Sequence, residues 1–304
     1  MVAAGRNWPV QVAIVGADTA LGRSLARTLA GQGCQVVGLG EMSLVPDCEM
    51  AYRQTDYASF DLPVDCGIVL YCHDAAQSPA RHAVLLDNLC RELSASRTPA
   101  NQVRLGCFTP ANACESKARS ITESAHLHPH GLRELSYAQV ELLLHAWCNL
   151  SRTAILPMIF RHGELYGTPS GLQLPGHVAQ CLRIAQARQT LRLPGLGIQK
   201  RSLTHLDDLA AAVGAFLSSD CPQNIINLPG ERQSIIDYMG PIADHYQTDL
   251  VMSSDCYDDD LPWGLGDRVL STAQFRTVLP DFRLEHRFRP WLLAGTESTI
   301  PFHD

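Results

Sequence analysis

Lysine is almost missing from this chain: only Lys117 and Lys200 occur among 304 residues. No apolar run approaches the roughly 20 residues needed to span a bilayer, which argues against a transmembrane segment. The opening MVAAGRNWPVQ lacks the apolar core of a secretory leader and runs almost directly into a strand, so a cytoplasmic protein is expected. There is no basic surplus either. A net charge of −7 argues against a nucleic-acid footprint, which is basic and clustered. None of the 11 cysteines makes a Cys-x-x-Cys pair. Cys66, Cys72, Cys90, Cys107 and Cys148 fall on apolar stretches and read as reduced, buried thiols. The run His126-Leu-His128-Pro-His130 lacks the partner ligands of a zinc site, so it reads as a surface loop and no metal is expected. No repeat and no low-complexity tract is present. The acidic stretch Asp255–Asp260 is short and reads as a solvated loop.

What is present alternates. Val10–Val15 is a short apolar run ending in Gly16, as in a buried parallel strand. Ala20 to Gly31 carries Leu21, Leu25, Ala26 and Leu29 at helical spacing, with Gly31 and Gly33 closing it. Further strands are expected at Gln35–Leu39, Cys66–Cys72, Val103–Phe108 and Thr153–Phe160. Helices are expected around Val84–Leu93 and over Leu132–Leu150. Strands alternating with helices predict an α/β fold with a doubly wound parallel sheet. Residues 1–165 would form this dinucleotide-binding domain. Residues 166–304, broken by Pro169, Gly171, Pro175, Gly176, Pro194, Gly195 and Gly197, would mainly form a small substrate-binding lobe, some segments returning to the first domain.

The turn Gly16-Ala17-Asp18-Thr19-Ala20-Leu21-Gly22 lies between strand and helix. That context gathers backbone N–H groups and a helix N-terminus where a pyrophosphate can sit. Thr19 stands where a third glycine would let backbone approach the phosphates. Its side chain either crowds the pyrophosphate or donates its hydroxyl to it. Glu41, at the end of the second strand, either reads the adenosine ribose or is a solvated loop residue. No Arg stands there to meet a 2′-phosphate, which prefers NAD over NADP.

These features resemble the extended short-chain dehydrogenase/reductases, the NAD-dependent nucleotide-sugar epimerases and dehydratases, over nearly the whole chain. The Gly16–Gly22 turn matches that family's Gly-rich turn. Asp56 sits where the family contacts adenine. His73-Asp-Ala75-Ala76 is similar to its cofactor-lining His-x-Ala-Ala. Phe160–Gly167 is similar to its Leu-Arg-Pro-x-x-Val-Tyr-Gly, and Gly195–Ala210 is the closest match. The resemblance implies a Rossmann-like fold, an NAD-type cofactor at Gly16, Thr19, Ala20, Leu21, Gly22, Glu41, Asp56, His73, Ala75 and Ala76, and a nucleotide-sugar ligand met by Arg161 and Arg201. A forked guanidinium at Arg201 suits a diphosphate.

The family's catalytic device is Tyr-x-x-x-Lys on a long helix, with a Ser or Thr from the preceding strand. One helical turn puts Tyr and Lys on one face. Here Tyr137 is in place, but the Lys position holds Glu141, and a carboxylate near the phenol would raise its pKa. Pro110 stands at the hydroxyl position, with Thr109 beside it. With only two lysines, no Tyr-x-x-x-Lys exists anywhere. His82 falls near the expected active site, although a surface helix position is its blander reading. Two functions follow: an NAD(P)-binding protein with weak or no ordinary oxidoreductase turnover, or an enzyme using Tyr137 with Thr109 and Glu141. The helix Leu132–Leu150 is apolar well beyond one stripe, which predicts burial on most sides and a homodimer.

Overall fold

The computed structural model describes residues 11–43, 48–57, 59–63, 65–72, 79–98, 100–115, 120–150, 154–167, 174–219, 221–253 and 266–295. Seven strands form the main sheet: β1 (Gln11–Val15), β2 (Gln35–Gly40), β3 (Met50–Gln54), β4 (Cys66–Tyr71), β5 (Val103–Pro110), β6 (Ile155–His162) and, much later, β10 (Ile225–Asn227). Their order is β10-β6-β5-β4-β1-β2-β3, with every pairing parallel. The chain reverses direction across the sheet between β1 and β4. That switch point is where open parallel sheets leave a crevice at their carboxyl ends.

Both faces are covered, as parallel strands require. On one face α1 (Ala20–Gly31) lies beside α5 (Leu206–Leu217). Its Leu25, Ala26 and Leu29 join Leu209, Val213 and Phe216 over Val12 and Ile14. On the other, α2 (Pro79–Ser96) and α3 (Leu132–Leu150) cover Ala13, Val15, Val69 and Leu105 with Leu86, Leu89, Leu93, Val140 and Leu144.

A smaller lobe is woven from the C-terminal half. It holds β7 (Glu164–Tyr166), α4 (His177–Gln186), β8 (Leu191–Pro194), β9 (Lys200–His205), β11 (Glu231–Ser234), α6 (Ile235–Tyr246), β12 (Leu250–Ser253) and α8 (Phe288–Ala294), while α7 (Ala273–Val278) lies against the main sheet. Here β11, β9 and β7 make one sheet, and β12 pairs with β8. Tyr166, Val178, Tyr238, Ile242 and Phe288 form this lobe's own core. By contrast, α5 packs on α1, α7 adds Phe275 to the large core, and β10 completes the large sheet.

Two expectations are corrected here. The strand expected at Thr153–Phe160 runs Ile155–His162, with Thr153 outside the described residues. Helix α3 is not buried on most sides: Leu132, Leu135, Leu142 and Leu150 are exposed. Seven of the ten described cysteines are buried. Among the described residues no helix is long and apolar enough to cross a membrane.

Candidate functional site

The glycine turn follows from tight backbone packing. A Cβ on Gly22 would lie 2.1 Å from the Gly16 carbonyl oxygen, so position 22 admits only glycine. Gly16 sits at φ +83°, a conformation glycine adopts freely. Thr19 is the N-cap of α1. Its hydroxyl donates to the Gly16 carbonyl (2.7 Å), and its Oγ1 accepts the Gly22 N–H (3.0 Å). The side chain therefore faces into the turn, and the hydroxyl offered to a pyrophosphate in the sequence reading is already in use. Ala20 and Leu21, the first residues of α1, open on a cleft of about 480 Å³ with Tyr71, His82, Phe108 and Tyr137.

The adenosine side departs from expectation. Both carboxylate oxygens of Glu41 are gripped by Arg81 of α2, one at 3.0 Å, so this acid is ion-paired rather than open to a ribose. Asp18, inside the turn, takes the amides of Glu41 and Met42 on Oδ2, both at 2.9 Å. Asp56 is exposed just past β3. His73, Ala75 and Ala76 lie outside the described residues, as does Asp255–Asp260.

Tyr137 is 7% exposed and borders both this cleft and a second, larger one. His82 is no surface residue: it is buried, its Nδ1 lies 3.0 Å from the Ser136 hydroxyl, and its ring meets Tyr137 edge-on at 5.2 Å. The expected partners of Tyr137 are elsewhere. Glu141 is buried and binds Arg161 through Nη2 (2.6 Å) and Nε (3.4 Å). Arg161 Nη1 also donates to the carbonyls of Thr122, Glu123 and Ala125. Arg161 is thus a buried strut, not the substrate contact the resemblance implied. Glu141 neutralises it rather than acting on the phenol. Thr109 is fully buried, and its hydroxyl has no hydrogen-bond partner among the described residues. Its neighbour Pro110 lines the larger cleft, and Thr109 does not border either one.

The larger cleft, about 760 Å³, lies between α3, the end of β6, α4 and β9. Glu134 is one turn before Tyr137, on the same helical face, and burial raises its pKa. His162, at the end of β6, borders both clefts. Its Nδ1 gives its proton to the Gly163 carbonyl (2.7 Å), which places the lone pair on Nε2. Burial pushes its pKa down to about 4, so the ring is neutral at pH 7. Glu164 accepts from Asn112 (2.7 Å) and from the His177 N–H (2.8 Å).

Two guanidinium groups complete this cleft. Arg201 and Arg268 sit on adjacent backbones joined by a parallel bridge, and both are buried. Arg201 Nη1 donates to the carbonyls of Lys200 (2.9 Å) and Gly266 (2.8 Å), while its buried Nη2 has no partner among the described residues. Arg268 Nη2 lies 3.3 Å from His130 Nε2. Burial first, then the charge of Arg201, lowers the Arg268 pKa. Neither forms a salt bridge with a carboxylate among the described residues. A cation beside His130 also suits the histidine run poorly to a metal ion. His205, Asp207 and His286 approach one another more closely. However, Asp207 binds Arg27 and Ser24, and His205 caps α5 by accepting the Asp207 N–H.

Asp18, Glu134, His162, Glu164 and Arg268 were not singled out from sequence. Helical spacing from Tyr137 could have flagged Glu134. Asp18 stood in plain view inside the turn. Arg268 comes to the cleft through pairing across 67 residues, which no local pattern reveals.

No protein-family model matches this chain, and no curated protein matches it. Solved structures do. MoeE5, in complex with UDP-glucuronic acid and NAD, is 16% identical with a TM-score of 0.75, covering 95% of this chain and 100% of that one. TunA, an NAD-dependent NDP-hexosamine 5,6-dehydratase of tunicamycin biosynthesis, is 16% identical with a TM-score of 0.75, covering 95% and 97%. UDP-glucuronic acid 4-epimerase from Bacillus cereus is 14% identical with a TM-score of 0.72, covering 95% and 98%. The chain therefore has the Rossmann-like α/β fold of these structures.

Proposed function

We propose that this protein binds a nucleoside-diphosphate-linked ligand, a nucleotide sugar, in the larger cleft, with NAD against the glycine turn, and that ordinary oxidoreductase turnover is weak or absent. The observation that carries the reading is the pair Arg201 and Arg268: two buried guanidinium groups on one cleft wall that form no salt bridge with a carboxylate among the described residues, one with a buried donor left over there. Such donors are costly unless an anion meets them. A diphosphate supplies two negative charges at the spacing of neighbouring forks.

The residues at the turn suit the phosphates of a dinucleotide. Gly22 and Gly16 let the chain turn tightly, and α1 starts at the cleft. The ribose next to a nicotinamide finds no lysine, since the position one turn after Tyr137 is Glu141, and that carboxylate is drawn away to Arg161. When bound, NAD supplies hydride chemistry. Tyr137, between the two clefts, is the side chain placed to hold or move the sugar hydroxyl proton.

A second reading is favoured by Glu134 and His162. Both border the larger cleft with Tyr137; burial raises the pKa of Glu134 and keeps His162 neutral. Pairs pushed in opposite directions suit acid and base roles, so an active epimerase or dehydratase would draw on them in place of Lys, Thr109 and Glu141. Incubation with UDP-glucuronic acid and NAD, followed by proton NMR, separates the readings: a new sugar species supports the second. A homodimer through the exposed leucines of α3 belongs to the same proposal.

The test is calorimetric titration of UDP into the protein and into Arg201→Met and Arg268→Met. Binding that weakens about tenfold or more in each variant is expected. No binding, or equal affinity in all three, overturns the reading.

A further inference from the structure

We propose that Asp18 reads the 2′ position of the adenosine ribose, accepting the hydroxyl of NAD and rejecting the phosphate of NADP. This rests on the reading that a dinucleotide lies over the glycine turn. In dinucleotide folds the 2′ position is met near the end of the second strand, by an acid for a hydroxyl or by a cation for a phosphate. Glu41 is the acid at that place in the sequence, but Arg81 holds it.

Asp18 has the geometry Glu41 lacks. Its Oδ2 accepts the N–H groups of Glu41 and Met42, both at 2.9 Å. Those two amides form the small donor nest at the tip of β2 that an incoming phosphate would need. A carboxylate of the protein already fills it. The side chain is more than nine-tenths buried, and Oδ1 receives no hydrogen bond from any described residue. That oxygen is an unused acceptor, and a ribose hydroxyl has a proton to give.

The acid is held firmly. It packs over Gly40, where a Cβ would lie 2.5 Å from the Asp18 Cγ. From the other side, the Tyr52 hydroxyl donates to the Met42 carbonyl (2.5 Å) and fixes the loop. A 2′-phosphate would therefore meet Asp18 with Glu41 next to it, and find its amide donors taken. Of the nearby cations, Arg81 is paired. Arg23, close enough to act on Tyr52, has a buried Nε without a partner among the described residues. Removing the carboxylate would leave Arg23 and two open amides, a combination that suits a phosphate.

The experiment titrates NAD and NADP separately into the full-length protein, Asp18→Asn and Asp18→Ala, with thermal melts to check folding. Asp18→Asn keeps an oxygen for the amides and drops the charge, so it carries the test if Asp18→Ala does not fold. Wild type should bind NAD at least about tenfold more tightly than NADP, and the variants should close that gap by about tenfold or more, NADP gaining. An unchanged ratio in the folded variants, or a wild type that prefers NADP, overturns the role of Asp18 while dinucleotide binding stands. A wild type that binds neither nucleotide overturns both.

Discussion

Glu141→Lys is the substitution that restores Tyr-x-x-x-Lys on paper, and the structure predicts that it strongly destabilises the protein instead of activating it. Glu141 and Arg161 are each 3% exposed at the side chain and meet at 2.6 Å. Removing one partner of a buried pair costs about 3–5 kcal/mol, because the other charge stays buried without compensation. Lysine goes further and sets a second cation against the guanidinium. Only the carbonyls of Thr122, Glu123 and Ala125 remain to Arg161. The loss should therefore sit at or above the upper end, against a total stability of about 5–15 kcal/mol. With a urea slope of about 3 kcal/mol/M, the midpoint should fall by about 1.7 M or more, read by circular dichroism. Glu141→Met with Arg161→Met removes both charges and should recover part of the loss. The three abandoned carbonyls keep recovery incomplete. A Glu141→Lys protein with the wild-type midpoint, or one that gains NAD-dependent turnover, would refute the ion-pair account.

Gly22→Ala places a methyl 2.1 Å from the Gly16 oxygen. It should lower stability by about 1–3 kcal/mol and abolish dinucleotide binding, measured by melting and calorimetry. Stability should also depend on pH. Burial holds His162 and His205 down to about 4, against about 6.5 in the unfolded chain. As pH falls the unfolded state takes up protons first. Stability is then full above about 6.5 and declines toward about 4, by about 3 kcal/mol per ring. Urea midpoints from pH 7 to 4.5 check this, and His162→Asn should flatten the curve by its share. Leu135 and Leu142 of α3, and Val84 of α2, the helix packed beside it, are exposed. Leu142→Arg should turn a dimer into a monomer by light scattering, and a monomeric wild type at micromolar concentration counts against the interface.

Hydrophobic periodicity carried most of the fold. Val12–Val15, the Leu25/Ala26/Leu29 stripe and the helix over 132–150 fall where their spacing places them. The turn was legible because its glycines answer a local steric need. The site was harder, because its chemistry is decided by partners distant in the chain. Glu141 and Arg161 are 20 residues apart, and nothing local shows that they neutralise each other. Glu41 reads as a free acid until Arg81, 40 residues on, closes over it. Thr19 was legible as a hydroxyl but not in direction, since its cap to Gly22 depends on the turn's exact path. His82 reads as a surface residue until Ser136 and Tyr137, from α3, cover it.

Arg201 and Arg268, which form no salt bridge with a carboxylate among the described residues, would hold a diphosphate on the reading proposed above. A crystal structure of the protein grown with UDP-glucuronic acid and NAD tests it most directly. The account predicts density for the diphosphate within hydrogen-bond reach of Arg201 Nη2 and the Arg268 guanidinium, with the sugar toward Tyr137 and Glu134. Well-diffracting crystals in which the nucleotide sugar lies elsewhere, or in which both guanidinium groups stay bare at saturating ligand, would contradict it.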